Sequence, residues 1–230
     1  MSIKIENIDV YGWESAIRGM RNPMNSWDRS DSYPAVDCGK CGKIEREGIC
    51  SIEDRDCTGF ECYAVGENDL DLMKRLFKGG TEHRKYLRFL TITMDITAPL
   101  YWWKEADTYV VGKVQNSCST MHKIHSKEFT LDDFSHEHCE MLTTDVFIQH
   151  IIPTLNIYRK LFLETKYKKY WWQMIQLLPS SYNQRRTVQM NYEVAVRMIQ
   201  QRKGHKLDEW KVMVKALLNL PYMKEIMGVE

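Results

Sequence analysis

Apolar and polar positions alternate at the start of the chain. Ile3, Ile5, Ile8 and Val10 are separated by polar residues and predict a short strand. Trp13, Ala16, Ile17 and Met20 then change to helical spacing, and Asn22-Pro23 ends that helix. Residues 22 to about 66 are rich in Asn, Asp, Ser, Gly and Cys without a sustained period, which predicts a long loop or insertion. Glu67-Asn68-Asp69 opens a helix with Leu70, Met73, Leu76 and Phe77 on one face, closed by Gly79-Gly80. From Leu87 to Ile96 the period returns to two. Leu90, Ile92, Met94 and Ile96 point one way and Phe89, Thr91, Thr93 and Asp95 the other, as in a central strand.

The second half reads as helical. Ala98 to Lys113 starts as a helix and becomes irregular through Gly112 and the run Asn116 to Thr120. Met121 to Met141 is loop with one short helix that Thr130 would cap. A long helix from Thr144 carries Ile148, Ile151, Ile152, Leu155, Tyr158 and Phe162, with a kink expected at Pro153. Further helices are predicted for Tyr170–Leu178, Thr187–Arg202 and Leu207–Leu220. The expected fold class is therefore α+β, a small mixed or antiparallel sheet with a helical C-terminal half.

Composition narrows the function classes. The 230 residues are 43% hydrophobic and 27% charged with a net charge of +1, so the chain as a whole carries no field to attract nucleic acid or anionic lipid. No apolar run approaches the roughly 20 residues of a membrane helix, and MSIKIENIDV has no secretory pattern, so a cytoplasmic location is expected. Seven cysteines, an odd number, fit reduced thiols in a chain of this size.

Four clusters carry candidate chemistry. Cys38 and Cys41 form a C-x-x-C turn, and Cys57 and Cys62 could complete a structural zinc tetrahedron, the alternative being reduced cysteines in a loop. His122, His125, His136, His138 and Cys139 have chelating spacings, but polar loops also collect histidines. Tyr158–Trp172 interleaves basic and aromatic residues, which suits nucleic acid. At this net charge an amphipathic helix with snorkelling lysines is the preferred reading. Finally, the hairpin Gln200–Lys211 could hold an anionic ligand or be a solvated turn.

Taken in order, several landmarks resemble the flavin-dependent thymidylate synthase family. Ala16-Ile17-Arg18 and Ser26–Asp31 look like its first turn, Glu82-His83 like its Glu-His pair, and Leu178-Pro179 like its Leu-Pro stop. Thr187-Val188 resembles the start of its penultimate helix, and His205, Glu209 and Lys211 fall at the spacing of its final histidine, glutamate and arginine; Arg202 is one residue closer to the histidine than in the family. The family's R-H-R-x-x-S motif has no R-H-R here. Trp102–Tyr109 stands in its place, with Asn116 and Ser119 matching only the downstream part, and Asn191 stands where the family has a nucleotide-binding arginine.

The resemblance implies one domain over residues 1–230 with a Cys-rich insertion at about 32–66. It also implies a homotetramer that binds FAD and methylates dUMP with methylenetetrahydrofolate and NADPH. On that basis His83, Arg84, Lys104, Arg202 and His205 would bind FAD; Arg185, Arg186, Asn191 and Lys211 would bind the nucleotide; and Ser119 would be catalytic. The alternative is a non-catalytic protein on the same scaffold, binding a nucleotide, nucleic acid or protein partner, as an accessory protein of a phage or mobile element would.

Overall fold

The computed structural model describes residues 3–37 and 60–229. In chain order the elements are β1 (Lys4–Tyr11), α1 (Trp13–Arg21), β2 (Tyr33–Asp37), β3 (Phe60–Ala64), α2 (Glu67–Lys78), β4 (Thr91–Pro99), α3 (Leu100–Ala106), β5 (Lys113–Ser117) and α4 (Thr120–Lys123). There follow α5 (Met141–Val146), α6 (Ile152–Thr165), α7 (Lys168–Leu177), β6 (Asn183–Asn191), α8 (Tyr192–Arg202), α9 (Asp208–Leu218) and α10 (Met223–Met227). The fold is α+β, with a small antiparallel sheet. The chain divides into two compact units, Met1–Val10 with Thr91–Leu220, and Tyr11–Leu90 with Pro221–Glu230.

The larger unit is built on a four-stranded sheet of order β1-β4-β6-β5, so β4 is internal, as its two half-covered faces predict. β6 pairs antiparallel with both neighbours, placing Asp95 opposite Thr187 and Thr97 opposite Arg185 on β4, and Asn116 opposite Thr187 on β5. Ile92, Met94, Ile96 and Ala98 of β4 are buried, as are Val188 and Met190 of β6. Helices α3, α8 and α9 add Trp102, Trp103, Ala195, Met198, Trp210 and Met213 to the buried set. The alternate residues, among them Arg185, Thr187 and Gln189, are exposed. One sheet face is thus apolar and covered while the other is polar, the usual two-sided antiparallel pattern. A second core of Ile124, Phe129, Phe134, Phe147, Leu155 and Met174 lies within residues 124–174 of this unit.

Three expectations change. Thr187–Asn191 is not helical: Val188 and Met190 alternate with Thr187 and Gln189 at a strand's period and pair with β4, and α8 begins only at Tyr192. Lys113–Ser117, expected to be irregular, is edge strand β5, because β6 supplies ladder partners that local composition does not reveal. The long helix starts at Met141 rather than Thr144 and runs unbroken to Thr165, with a π-helical turn at Phe147–Ile151 just before Pro153, where the proline interrupts the regular ladder.

The smaller unit contains α1, α2, α10 and the antiparallel pair β2–β3, which stands at the two ends of the expected insertion. Its centre is a buried ion pair. Arg21 Nε donates to Asp69 Oδ1 at 2.6 Å, while Ser30 Oγ (2.7 Å), Ser32 Oγ (2.6 Å) and the Asp31 N–H (3.2 Å) donate to Oδ2. Asp31 in turn accepts the free N–H groups of Asn68 (2.9 Å) and Asp69 (3.1 Å) at the start of α2. Burial pushes the Asp69 carboxyl upward, but the Ser32, Ser30 and Arg21 contacts outweigh it and hold the group below the ordinary carboxylate range.

Removing one partner leaves the other charge buried and unpaired. Arg21→Ala should lower unfolding free energy by about 3–5 kcal/mol, whereas Arg21→Met/Asp69→Asn, which removes both charges and keeps an acceptor for Ser30 and Ser32, should cost less. Urea titrations of both variants check this.

Candidate functional site

The exposed face of the larger unit's sheet holds a carboxylate in an unusual place. Asp95 interrupts the run Thr91-Ile92-Thr93-Met94-Asp95-Ile96-Thr97 at the middle of an internal strand. It is satisfied from both neighbours. Thr187 Oγ1 donates to Oδ1 at 2.6 Å, and Arg185 Nη2 (2.7 Å) and Asn7 Nδ2 (2.8 Å) donate to Oδ2. Asn7 reaches from a left-handed backbone position in β1 (φ 52°), which asparagine tolerates better than most residues. These donors, Thr187 first, then Arg185 and Asn7, hold Asp95 far below the usual carboxylate range.

A second node lies on α3. Glu105 Oε2 accepts from Arg202 Nη1 (3.0 Å), Trp210 Nε1 (3.0 Å) and His205 Nε2 (3.1 Å). The His205 ring is fixed on both sides, since its Nδ1 accepts the Leu207 N–H at 3.2 Å. Arg202 Nε also donates to the Tyr109 hydroxyl at 3.0 Å, and its guanidinium lies 4.7 Å from the Trp210 ring centre. Beside this cluster Tyr101 donates to buried Glu209; burial, followed by that carboxylate, raises the phenol strongly.

A third pairing lies at Asp107, which accepts Arg186 Nη1 at 2.9 and 3.2 Å and Gln115 Nε2 at 2.6 Å. The Arg186 guanidinium stacks 4.2 Å from the Trp103 ring centre. Lys113 lies 3.8 Å from the same carboxylate, and burial, the largest influence, lowers its ammonium below the ordinary lysine range.

The other nominated residues are dispersed. Lys104 is exposed with no hydrogen bond or ion pair among the described residues. Lys211 pairs with Asp208 at 2.6 Å on the surface, and Asp208 also meets His138 at 3.1 Å. Ser119 is the N-cap of α4, accepting the His122 N–H at 3.0 Å, and Asn191 is the N-cap of α8, accepting the Val194 N–H at 3.0 Å. His83 and Arg84 belong to the smaller unit, where His83 is exposed and the Arg84 guanidinium lies 5.1 Å from the Phe77 ring centre. Cys38, Cys41 and Cys57 lie outside the described residues, and Cys62 is described only as a position in β3. Among the described residues no group of three His, Cys, Asp or Glu is placed to hold a metal, so the histidine cluster is not assembled as a ligand set.

No family model matches the sequence, and neither does any curated protein. Solved structures do match. Thymidylate synthase X from Helicobacter pylori with FAD and dUMP matches over 99% of this chain and 96% of its own, with a TM-score of 0.61 at 15% identity. A second structure, the flavin-dependent thymidylate synthase ThyX of the same organism complexed with FAD and dUMP, gives 0.60 at 15% identity over 99% and 97%. The likeness is one of fold, and it spans nearly the whole of both chains.

The sequence reading named the cations and missed the acids. Asp95, Glu105 and Asp107 are what position Arg185, Arg202, His205 and Arg186. A signal for Asp95 was available: a carboxylate at mid-strand among threonines needs a partner on the neighbouring strand. Glu105 and Asp107 stand in the segment Trp102–Tyr109, where the resemblance directs attention to lost arginines rather than to new carboxylates.

Two measurements follow. Because Asp95 is depressed in the folded chain, its contribution is complete above the unfolded value of about 3.9 and fades as pH falls below it. Asp95→Asn should therefore unfold with a shallower dependence on pH below about 4 than the parent, read by acid titration of circular dichroism. Glu105→Gln deprives a crowded oxygen of its charge and should destabilise by about 1–3 kcal/mol in thermal unfolding.

Proposed function

We propose that this protein binds a pyrimidine nucleotide of the dUMP class on the scaffold of the flavin-dependent thymidylate synthases, the whole chain serving as one domain of that fold. The observation that carries the reading is the whole-length similarity to Helicobacter pylori structures that hold FAD and dUMP. Within the larger unit the supporting surface is the polar sheet face, where Arg185, Thr187 and Asn116 stand on neighbouring strands. Arg185 is the natural phosphate partner there. Its side chain is 48% exposed, so water competes with its pairing to Asp95 and the contact can be exchanged.

The methylation reading adds FAD, with methylenetetrahydrofolate as one-carbon donor. FAD supplies redox chemistry when bound, and its diphosphate needs fixed cationic forks. The nominated residues do not fit that demand. Arg202 Nη1 and His205 donate to Glu105 and Arg202 Nε to the Tyr109 hydroxyl, Lys104 offers a single flexible ammonium, and His83 and Arg84 belong to the smaller unit, so the larger unit assembles no pair of uncommitted cationic forks from them. That neutralisation favours nucleotide binding without flavin chemistry over methylation.

One preparation separates the two. Freshly purified protein should be colourless and stay so after incubation with FAD, while calorimetry detects dUMP binding that Arg185→Gln weakens about tenfold, the loss of one charge-assisted contact. A bound-flavin absorption band would restore the methylation reading. Absence of any dUMP heat would remove both.

A further inference from the structure

The basic-aromatic run left over from the sequence reading has an arrangement that neither core packing nor the dUMP reading explains. Helices α6 and α7 form an antiparallel pair whose inner side chains, Leu155, Phe162 and Met174, belong to the second core. Their connection, Lys166-Tyr167, runs into Lys168-Lys169 at the start of α7, and two aromatics here are not core residues: Tyr167 is 61% exposed and Trp172 is 42% exposed. The amphipathic-helix expectation holds for Tyr158, Phe162 and Trp171, which pack against the core, but not for these two.

Cations accompany the exposed rings. Lys168 lies 5.9 Å from the Trp172 ring centre, and Lys169 lies 5.7 and 4.7 Å from those of Tyr167 and Tyr170. Over residues 152–177 there are five cations, Arg159, Lys160, Lys166, Lys168 and Lys169, against the single carboxylate of Glu164. None of the five forms an ion pair among the described residues, in contrast to Arg185, Arg186 and Arg202 on the sheet side. A protein with a net charge of +1 has concentrated uncompensated charge in one hairpin.

The backbone adds a second indication. Lys166 ends α6 in the left-handed region (φ 56°, ψ 14°), a position usually given to glycine or asparagine. A lysine there accepts strain that a glycine would avoid. It joins other cations: Lys166, Lys123 and Arg159 all act on His125, and after burial they lower its basicity in that order. Arg159 Nε donates to the His125 carbonyl at 3.0 Å, and among the described residues its terminal nitrogens have no hydrogen-bond partner and neither does the buried His125 Nδ1. Trp171 Nε1 ties α7 to the same segment through the Met121 carbonyl at 2.9 Å.

We infer that the α6–α7 tip is a binding surface for single-stranded nucleic acid, in which Lys123, Arg159, Lys166 and Lys168 meet phosphates while bases stack on Tyr167 and Trp172. Both rings reach solvent and every base has a π face, so the surface is expected to tolerate sequence. A membrane surface fits less well, because Thr165–Lys169 contains no aliphatic side chain to enter hydrocarbon. Duplex DNA hides its base faces and leaves the two rings without a role.

Fluorescence anisotropy of the full chain with labelled oligo-dT, oligo-U and a matched duplex tests the inference. Expected are binding of both single strands, weaker binding of the duplex, and loss of affinity with salt at a slope of about −0.7 per phosphate neutralised. Trp172→Ala should weaken single-strand binding about tenfold with the salt slope unchanged. Lys166→Gln/Lys168→Gln should lower both affinity and slope. Circular dichroism confirms that these surface variants fold, and excess dUMP should not displace the oligonucleotide, which separates this surface from the nucleotide site. Failure of both single strands to bind, equal binding of duplex, or an unchanged slope in the double lysine variant would overturn it, as would binding only to phosphatidylserine vesicles.

Discussion

A guanidinium at the sheet or on the helices that cover it needs a counter-charge, and Arg185, Arg186 and Arg202 each find one on an adjoining element. Asp95 on β4 meets Arg185 on β6, Asp107 at the end of α3 meets Arg186, and Glu105 on α3 meets Arg202 at the end of α8. Because each pair joins elements far apart in sequence, the pairs register the strands against one another and set α8 and α9 against α3. The cost is availability. A cation bridged to its own carboxylate has less to offer an anionic ligand, and the more buried the pair, the less readily it is exchanged. The Arg185 side chain is 48% exposed and that of Arg202, beside Trp210, 19%, so water reaches the first more readily than the second.

The same bookkeeping separates two regions of one molecule. On the sheet side charges cancel locally. On the α6–α7 tip they accumulate beside solvent-facing rings, and the electrostatic character of the protein is decided there rather than by its nearly neutral total. Net charge is a sum, and a ligand a few ångströms away senses only the nearest terms once salt has screened the rest.

How far the chain could be read from sequence follows from how local each signal is. The internal strand and the Thr130 cap depend on spacing within a few residues and are present, although the strand starts at Thr91 rather than Leu87, after a 3-10 turn at Lys85–Arg88. β6 and β5 were misread because their evidence is non-local. Thr187-Val188-Gln189-Met190 is short enough to suit either period, and Lys113–Ser117 acquires strand geometry only from hydrogen bonds to β6. The site shows the same limit. Side chains with obvious ligand chemistry are visible in the sequence, but whether each is free depends on carboxylates 79 to 97 positions away, as with Arg186 and Asp107, Arg185 and Asp95, or Arg202 and Glu105. Ser119 and Asn191, chosen by alignment with a motif, sit at helix N-termini, where small polar side chains are favoured for purely local reasons.

The β2–β3 pair has a bearing on how this chain can vary. Its register sets Asp37 opposite Phe60, so the polypeptide leaves the ladder and re-enters it across one strand spacing. The entropy of joining two adjacent ends rises only with the logarithm of the intervening length. The length of chain joining those two ends can therefore change at small thermodynamic cost while the β2–β3 register is kept.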